Sequence, residues 1–195
     1  MNSSRTWRTA AELRARPELS VARDLLASWR APDDAQARER DRIVAWIDRF
    51  PTDAHLRTRL EGHLTASAWI VDASGTRALL THHRKLNRWL QLGGHCDGDA
   101  NLAHVSLREA IEESGIEGLT IDPTPIDVDV HTIPARANEP EHFHLDTRFL
   151  VMAPPGAQIV VSDESHALAW LTPDEIRERG VDESVMRLSR AVFGR

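Results

Sequence analysis

Residues 94–116 read Gly94-His-Cys-Asp-Gly-Asp-Ala-Asn-Leu-Ala-His-Val-Ser-Leu-Arg108-Glu109-Ala-Ile-Glu112-Glu113-Ser-Gly115-Ile116. Glu109, Glu112 and Glu113 stand at i, i+3 and i+4, a spacing that puts three carboxylates on one face of a helix. Like charges so crowded repel one another, and a divalent cation reverses that penalty. Hard oxygen donors favour Mg²⁺ or Mn²⁺. Ala103, Leu107, Ala110 and Ile111 recur at i, i+4, i+7 and i+8 and form an apolar stripe that can dock on a sheet. Asp99 or Asn101 suits the cap that starts the helix, and Gly115 suits the left-handed residue that ends it. A solvated glutamate-rich face is the plain alternative. The Gly93-Gly94 loop ahead of the helix and the order Arg-Glu-x-x-Glu-Glu argue against it.

The stretch resembles the Nudix box of the Nudix hydrolase superfamily: Gly, five residues, Glu, seven residues, Arg-Glu, an aliphatic, any residue, Glu-Glu, any residue, Gly, an aliphatic. Gly94, Arg108, Glu109, Ala110, Glu112, Glu113, Gly115 and Ile116 fill the matching positions, while Ala100 stands where the first box glutamate belongs. The strand pattern around the box extends the resemblance to roughly residues 62–180. It implies an α/β/α sandwich with a mixed sheet. It also implies a metal, Mg²⁺ or Mn²⁺, held by Glu109, Glu112 and Glu113 together with the Gly93 carbonyl. Arg108 would reach Glu112 across one turn or orient Glu109, and Glu109, Arg108 and Glu112 would carry the catalysis. The implied reaction is hydrolysis of a nucleoside diphosphate linked to another moiety, by attack of metal-activated water on phosphorus. Ala100 leaves two readings open: an adapted site in which Asp97 or Asp99 substitutes, and a degenerate nucleotide-binding module without catalysis. Family members often use an acid from outside the box; Glu164 fits that place, and Asp163, Glu139 and Glu141 compete for it. Some proteins of this fold isomerise isoprenoid diphosphates with a cysteine, but the setting of Cys96 does not resemble their motif.

Composition narrows the partners. The chain has 195 residues, with 24 basic and 30 acidic residues for a net charge of −6, and no basic block. A nucleic-acid polymer demands clustered positive charge and is excluded as the main partner, whereas a nucleotide-sized ligand is compatible. The single cysteine allows no internal disulfide and fits a reducing compartment. The first twenty residues hold four arginines and no apolar run, and no stretch reaches membrane-spanning length. A cytoplasmic location without membrane attachment is expected. Lys85 is the only lysine, and tyrosine is absent.

Residues 1–62 read as a helical extension ahead of an enzyme domain at 63–195. Ala22, Leu25, Leu26 and Trp29 make one helical stripe, and Ile43, Trp46, Ile47 and Phe50 a second, capped by Asp33 or Asp34. Leu56 and Leu60 suggest a third short helix closed by Gly62. These stripes pack on the enzyme domain or on a second copy, since members of the superfamily are commonly dimers. Leu64 to Val71, Arg77 to His82 and Trp89 to Leu92 read as strands. Ile126, Val128 and Val130 alternate with polar residues, and His142, His144, Asp146 and Arg148 alternate with Phe143, Leu145 and Phe149, so a hairpin is expected. Ala167 to Leu171 makes a last strand. Thr172-Pro-Asp-Glu175 is a capping box that opens the C-terminal helices. His142, His144 and Asp146 share one strand face; with His131 they have spacing able to ligate zinc, or they line a substrate cleft with Arg148 near a phosphate. Trp69, Trp89, Phe143 or Trp170 is available to stack a base.

Overall fold

The computed structural model describes residues 5–136, 139–162 and 165–194. Two helices open the chain, α1 (Ser20–Ser28) and α2 (Asp34–Arg49), the second capped by the Asp33 carboxylate, which accepts from Gln36 N. Ahead of them a two-residue strand, β1 (Arg8–Thr9), leads into a short 3-10 turn. Then follow β2 (Gly62–Val71), β3 (Ala78–His83), β4 (Arg88–Leu90) and β5 (Leu92–His95). The box helix is α3 (Leu102–Ser114). After it come β6 (Thr120–Ile133), β7 (His142–Met152), β8 (Ser165–Leu171), α4 (Pro173–Glu178) and α5 (Glu183–Phe193). Thr172 and Glu175 make the capping box of α4, with Pro173 at its first turn.

One mixed sheet carries all eight strands in the order β1-β6-β7-β2-β3-β4, with β5 on β2 and β8 on β3. β6 and β7 pair antiparallel as the expected hairpin. β2 and β7 pair parallel along their length, from Gly62 opposite Phe143 to Val71 opposite Met152. β2 is buried at every position, as a central strand covered on both faces must be. Its alternation splits the core. Leu64, Ala66, Ala68 and Ile70 join α1, α2 and α3 in one cluster, while Trp69 and Val71 join Ile176, Val185 and Leu188 of α4 and α5 in the other. Helices on both sides of a mixed sheet give the sandwich.

Two sequence expectations need correction. Residues 51–61 form turns rather than a third helix. Their carbonyls serve neighbours instead of a helical ladder: Ala54 O accepts from Leu64 N at 2.8 Å and His55 O from Gly98 N at 3.2 Å. The N-terminal segment also supplies a strand to the sheet edge, Arg8 opposite Ile121. The helical stripes follow the first of their two alternatives: Leu19, Ala22, Leu26, Trp29, Ile43 and Ile47 lie in the same apolar cluster as the sheet. Among the described residues no helix is long and apolar enough to cross a membrane.

Candidate active site

Strand register decides which side chains meet. On one face of the sheet, His131 of β6 stands opposite His144 of β7, which stands opposite His63 of β2. The next row is Asp129, Asp146, Thr65 and, across on β5, His95. The third is Asp127, Arg148, Ser67 and Gly93. Side chains two apart along a strand share a face, so these rows form a continuous polar floor. A cleft of about 320 Å³ opens over it, lined by His95, His144, Asp146, Gly93, Gly94 and Glu109 among others.

The box helix delivers its glutamates unequally. Glu109 is mostly covered, and burial raises its carboxyl above the usual range despite the opposing pull of Arg108. Glu113 is buried, and its Oε2 accepts from Gly93 N at 3.0 Å. Glu112 stays exposed. Arg108 reaches both neighbours, with Nη1 2.8 Å from Glu109 and 3.3 Å from Glu112, and its Nη2 donates to His95 O at 3.0 Å. The guanidinium thereby ties the helix to β5 as well as orienting two carboxylates. Two glycines permit the approach. A Cβ on Gly94 would lie 2.5 Å from Glu109 Oε2, and one on Gly93, whose φ is +156°, would lie 2.6 Å from Ser67 Cα.

Ala100 is fully buried, and its N–H donates to Arg16 O at 2.5 Å. The N-terminal segment crosses the loop here, with Asn101 Nδ2 donating to Arg14 O and Arg16 N donating to Asp99 Oδ1. Neither proposed substitute is free. Asp99 Oδ1 also accepts from Asn101 N, and its Oδ2 lies 2.6 Å from His104 Nδ1. Asp97 pairs with Arg57 at 2.8 Å. Asn101 is the residue that caps α3, and Gly115 ends it in the left-handed conformation.

Arg148 is not placed to hold a phosphate. It is 1 % exposed, and its guanidinium is taken up by Asp146 at 2.8 Å, Asp127 at 3.1 Å and Asp129 at 3.2 Å. Arg187 of α5 completes this charge cluster through Asp127 and Asp129. Asp146 is spent as well, accepting from Thr65, Ser67 and Arg148, so it drops out of the histidine–aspartate metal set suggested by the sequence. His144 instead meets His63 and His95, two residues that sequence spacing could not connect because they lie on other strands. Among the described residues, these three are the donor group whose nitrogens all lie within 4.8 Å of one another. His142 and His131 flank them, with ring centroids 5.1 and 5.5 Å from that of His144. Glu139 lines the cleft; Asp163 and Glu164 lie outside the described residues. The expected base-stacking aromatics are elsewhere. Trp69 is buried under α5, Trp89 stacks on His82, and the cleft's apolar lining is Leu86, Leu90 and Ile133. Cys96 is buried, which pushes its thiol up and removes it as a nucleophile.

A sandwich whose carboxylate-bearing helix faces a glycine-rich strand and an adjacent cleft defines the Nudix class of fold. The chain belongs to the NUDIX domain family, whose sequence profile matches residues 62–189. Enzymes of this family are hydrolases of phosphoric anhydride bonds. Solved structures of similar shape include a NUDIX-family hydrolase from Clostridium perfringens, at 22% identity and TM-score 0.53, covering 67% of this chain and 96% of that one. An Ap4A hydrolase from C. elegans aligns at 18% identity and TM-score 0.55, covering 67% and 95%. The dihydroneopterin triphosphate pyrophosphohydrolase of E. coli aligns at 18% and 0.55, covering 68% and 96%. No curated protein sequence matches the chain.

Proposed function

We propose that the chain hydrolyses the anhydride of a nucleoside diphosphate linked to a second moiety, with Glu109, Glu112 and Glu113 as the acidic centre. The half-buried carboxylate of Glu109 at the cleft wall carries this reading, since an anion held away from water is poised to take a proton or meet a cation. The donors are hard oxygens and suit Mg²⁺ or Mn²⁺, with the Gly93 carbonyl as a further ligand. A cation held there would supply charge neutralisation for the pyrophosphate and a water of lowered pKa. Glu109, at the cleft wall, is the carboxylate that would take up a proton, and Arg108 keeps Glu109 and Glu112 in register. The attacking oxygen bonds to phosphorus, the anhydride P–O bond breaks, and the departing phosphate keeps the electron pair. Lys85 and Arg136, both on the cleft lining, replace Arg148 as the cationic groups that meet the substrate's phosphates. The absence of Trp and Phe from the described cleft lining favours recognition through phosphate and sugar over stacking of a base on an indole or phenyl ring.

The buried Ala100 supports the rival reading of a binding module without catalysis, because the nearby Asp97 and Asp99 are engaged by Arg57 and by Asn101 and His104. The two separate in a turnover assay over a panel of nucleotide diphosphate derivatives with Mg²⁺ or Mn²⁺. Hydrolysis that falls by about 100-fold or more in Glu112→Gln supports the enzyme. Nucleotide binding with no cleavage across the panel leaves the binding module.

A further inference from the structure

We propose that His63, His95 and His144 form a nitrogen-donor site for a borderline divalent cation of the zinc type, separate from the carboxylates of the box helix. Three strands supply the donors, and the sheet fixes their spacing. His63 stands directly opposite His144, while His95 pairs with Thr65, two residues along β2. The ring centroids are 5.0 Å apart for His63–His95 and His95–His144, and 5.1 Å for His63–His144. Nitrogens about 2.1 Å from a tetrahedral centre stand about 3.4 Å apart. The donor atoms already lie within 4.8 Å of one another.

Two further observations point to a ligand. His63 Nε2 and His144 Nε2 are buried and have no hydrogen-bond partner among the described residues. Orphaned polar atoms of this kind are costly, and a metal bond satisfies them. On the far side of its ring, His63 Nδ1 lies 3.5 Å from Arg59 O, the outer contact that fixes a ligating imidazole's tautomer. His131 and His142 stand outside the group whose donor atoms all lie within 4.8 Å of one another; His131 Nδ1 is engaged by Asp129 Oδ2, and His142 Nε2 lies 3.8 Å from Glu139 Oε1. A set of three imidazoles is softer than the glutamate trio and selects zinc, cobalt or nickel over magnesium. His95 and His144 line the cleft, which leaves the fourth position to water or to an oxygen of the bound substrate.

The test is equilibrium dialysis of the tag-free chain against Zn²⁺ in excess Mg²⁺, which saturates the carboxylates but not the imidazoles. Retention of about one Zn²⁺ per chain, and a tetrahedral visible spectrum with Co²⁺, are expected. His144→Ala and the milder His63→Gln should each weaken binding by more than about 100-fold, whereas Glu112→Gln leaves it unchanged. Circular dichroism identifies any variant that fails to fold, and the cobalt spectrum of the unaltered protein needs no variant. No retained zinc, retention indifferent to both histidine changes, or loss in Glu112→Gln would each overturn the site. None of these readouts depends on hydrolysis.

Discussion

Gly93 donates its N–H to the buried carboxylate of Glu113 at 3.0 Å, fastening the last turn of the box helix to the strand beneath the cleft. The paired glycines nevertheless serve different ends. A Cβ on Gly93 runs into Ser67 Cα and Ala66 O, backbone atoms of the central strand that cannot yield, and its φ of +156° strains any other residue. Gly93→Ala should therefore destabilise the fold by about 3 kcal/mol. At Gly94 the obstacle is the end of the Glu109 side chain, which can swing away. Gly94→Ala should keep its melting temperature within a few degrees and lose about 100-fold in kcat. Parallel thermal melts and kinetics separate the two.

Restoring the box glutamate should harm the protein. Position 100 is fully buried, and its N–H is bonded to the carbonyl of Arg16. Ala100→Glu would bury a carboxylate or expel residues 14–16, and about 3 kcal/mol of stability should go with it. Denaturant titration reads the loss. A gain in hydrolysis at unchanged stability would show that the segment yields easily.

Arg148 is a structural cation facing three aspartates. Arg148→Met leaves Asp127, Asp129 and Asp146 buried without their partner, at a cost of about 3–5 kcal/mol. Arg187 compensates two of them in part. A stable variant with only a raised KM would return Arg148 to the phosphate role.

Stability of the metal-free protein should depend on pH through the histidine cluster. Against 6.5 for a free imidazole, burial holds His95 at about 4 and His144 at about 2. As pH falls below 6.5 the unfolded chain takes up protons that the folded chain refuses. Stability fully present above 6.5 is therefore lost, down to about 4 for His95 and further for His144. With chelator present, melting temperature should fall more steeply over that window in the unaltered protein than in His144→Asn. Equal slopes would show that carboxylates elsewhere dominate.

Local pattern made much of the fold legible. The box helix, its Asn101 and Gly115 ends, the β6–β7 hairpin and the capping box of α4 are all written in neighbouring residues. What pattern leaves out is partnership between distant segments. His142, His144, Asp146 and Arg148 do share a face, yet alternation is silent on β2 being their parallel neighbour. Only that pairing brings His63 to His144 and hands Asp146 to Thr65 and Ser67. The covering of Ala100 by residues 14–16 was hidden for the same reason.

The parallel union of β2 with β7 also governs when the site comes into being. Gly62 meets Phe143 only after a loop of roughly eighty residues has closed, an entropic cost that slows such pairings. A nascent chain that ends after the box helix already carries every box glutamate but has neither His144 nor Asp146 to complete the floor. The acids are synthesised early and the surface they serve is assembled late. The cleft floor is completed with the joining of the two strands, while β8, α4 and α5 are still to be added.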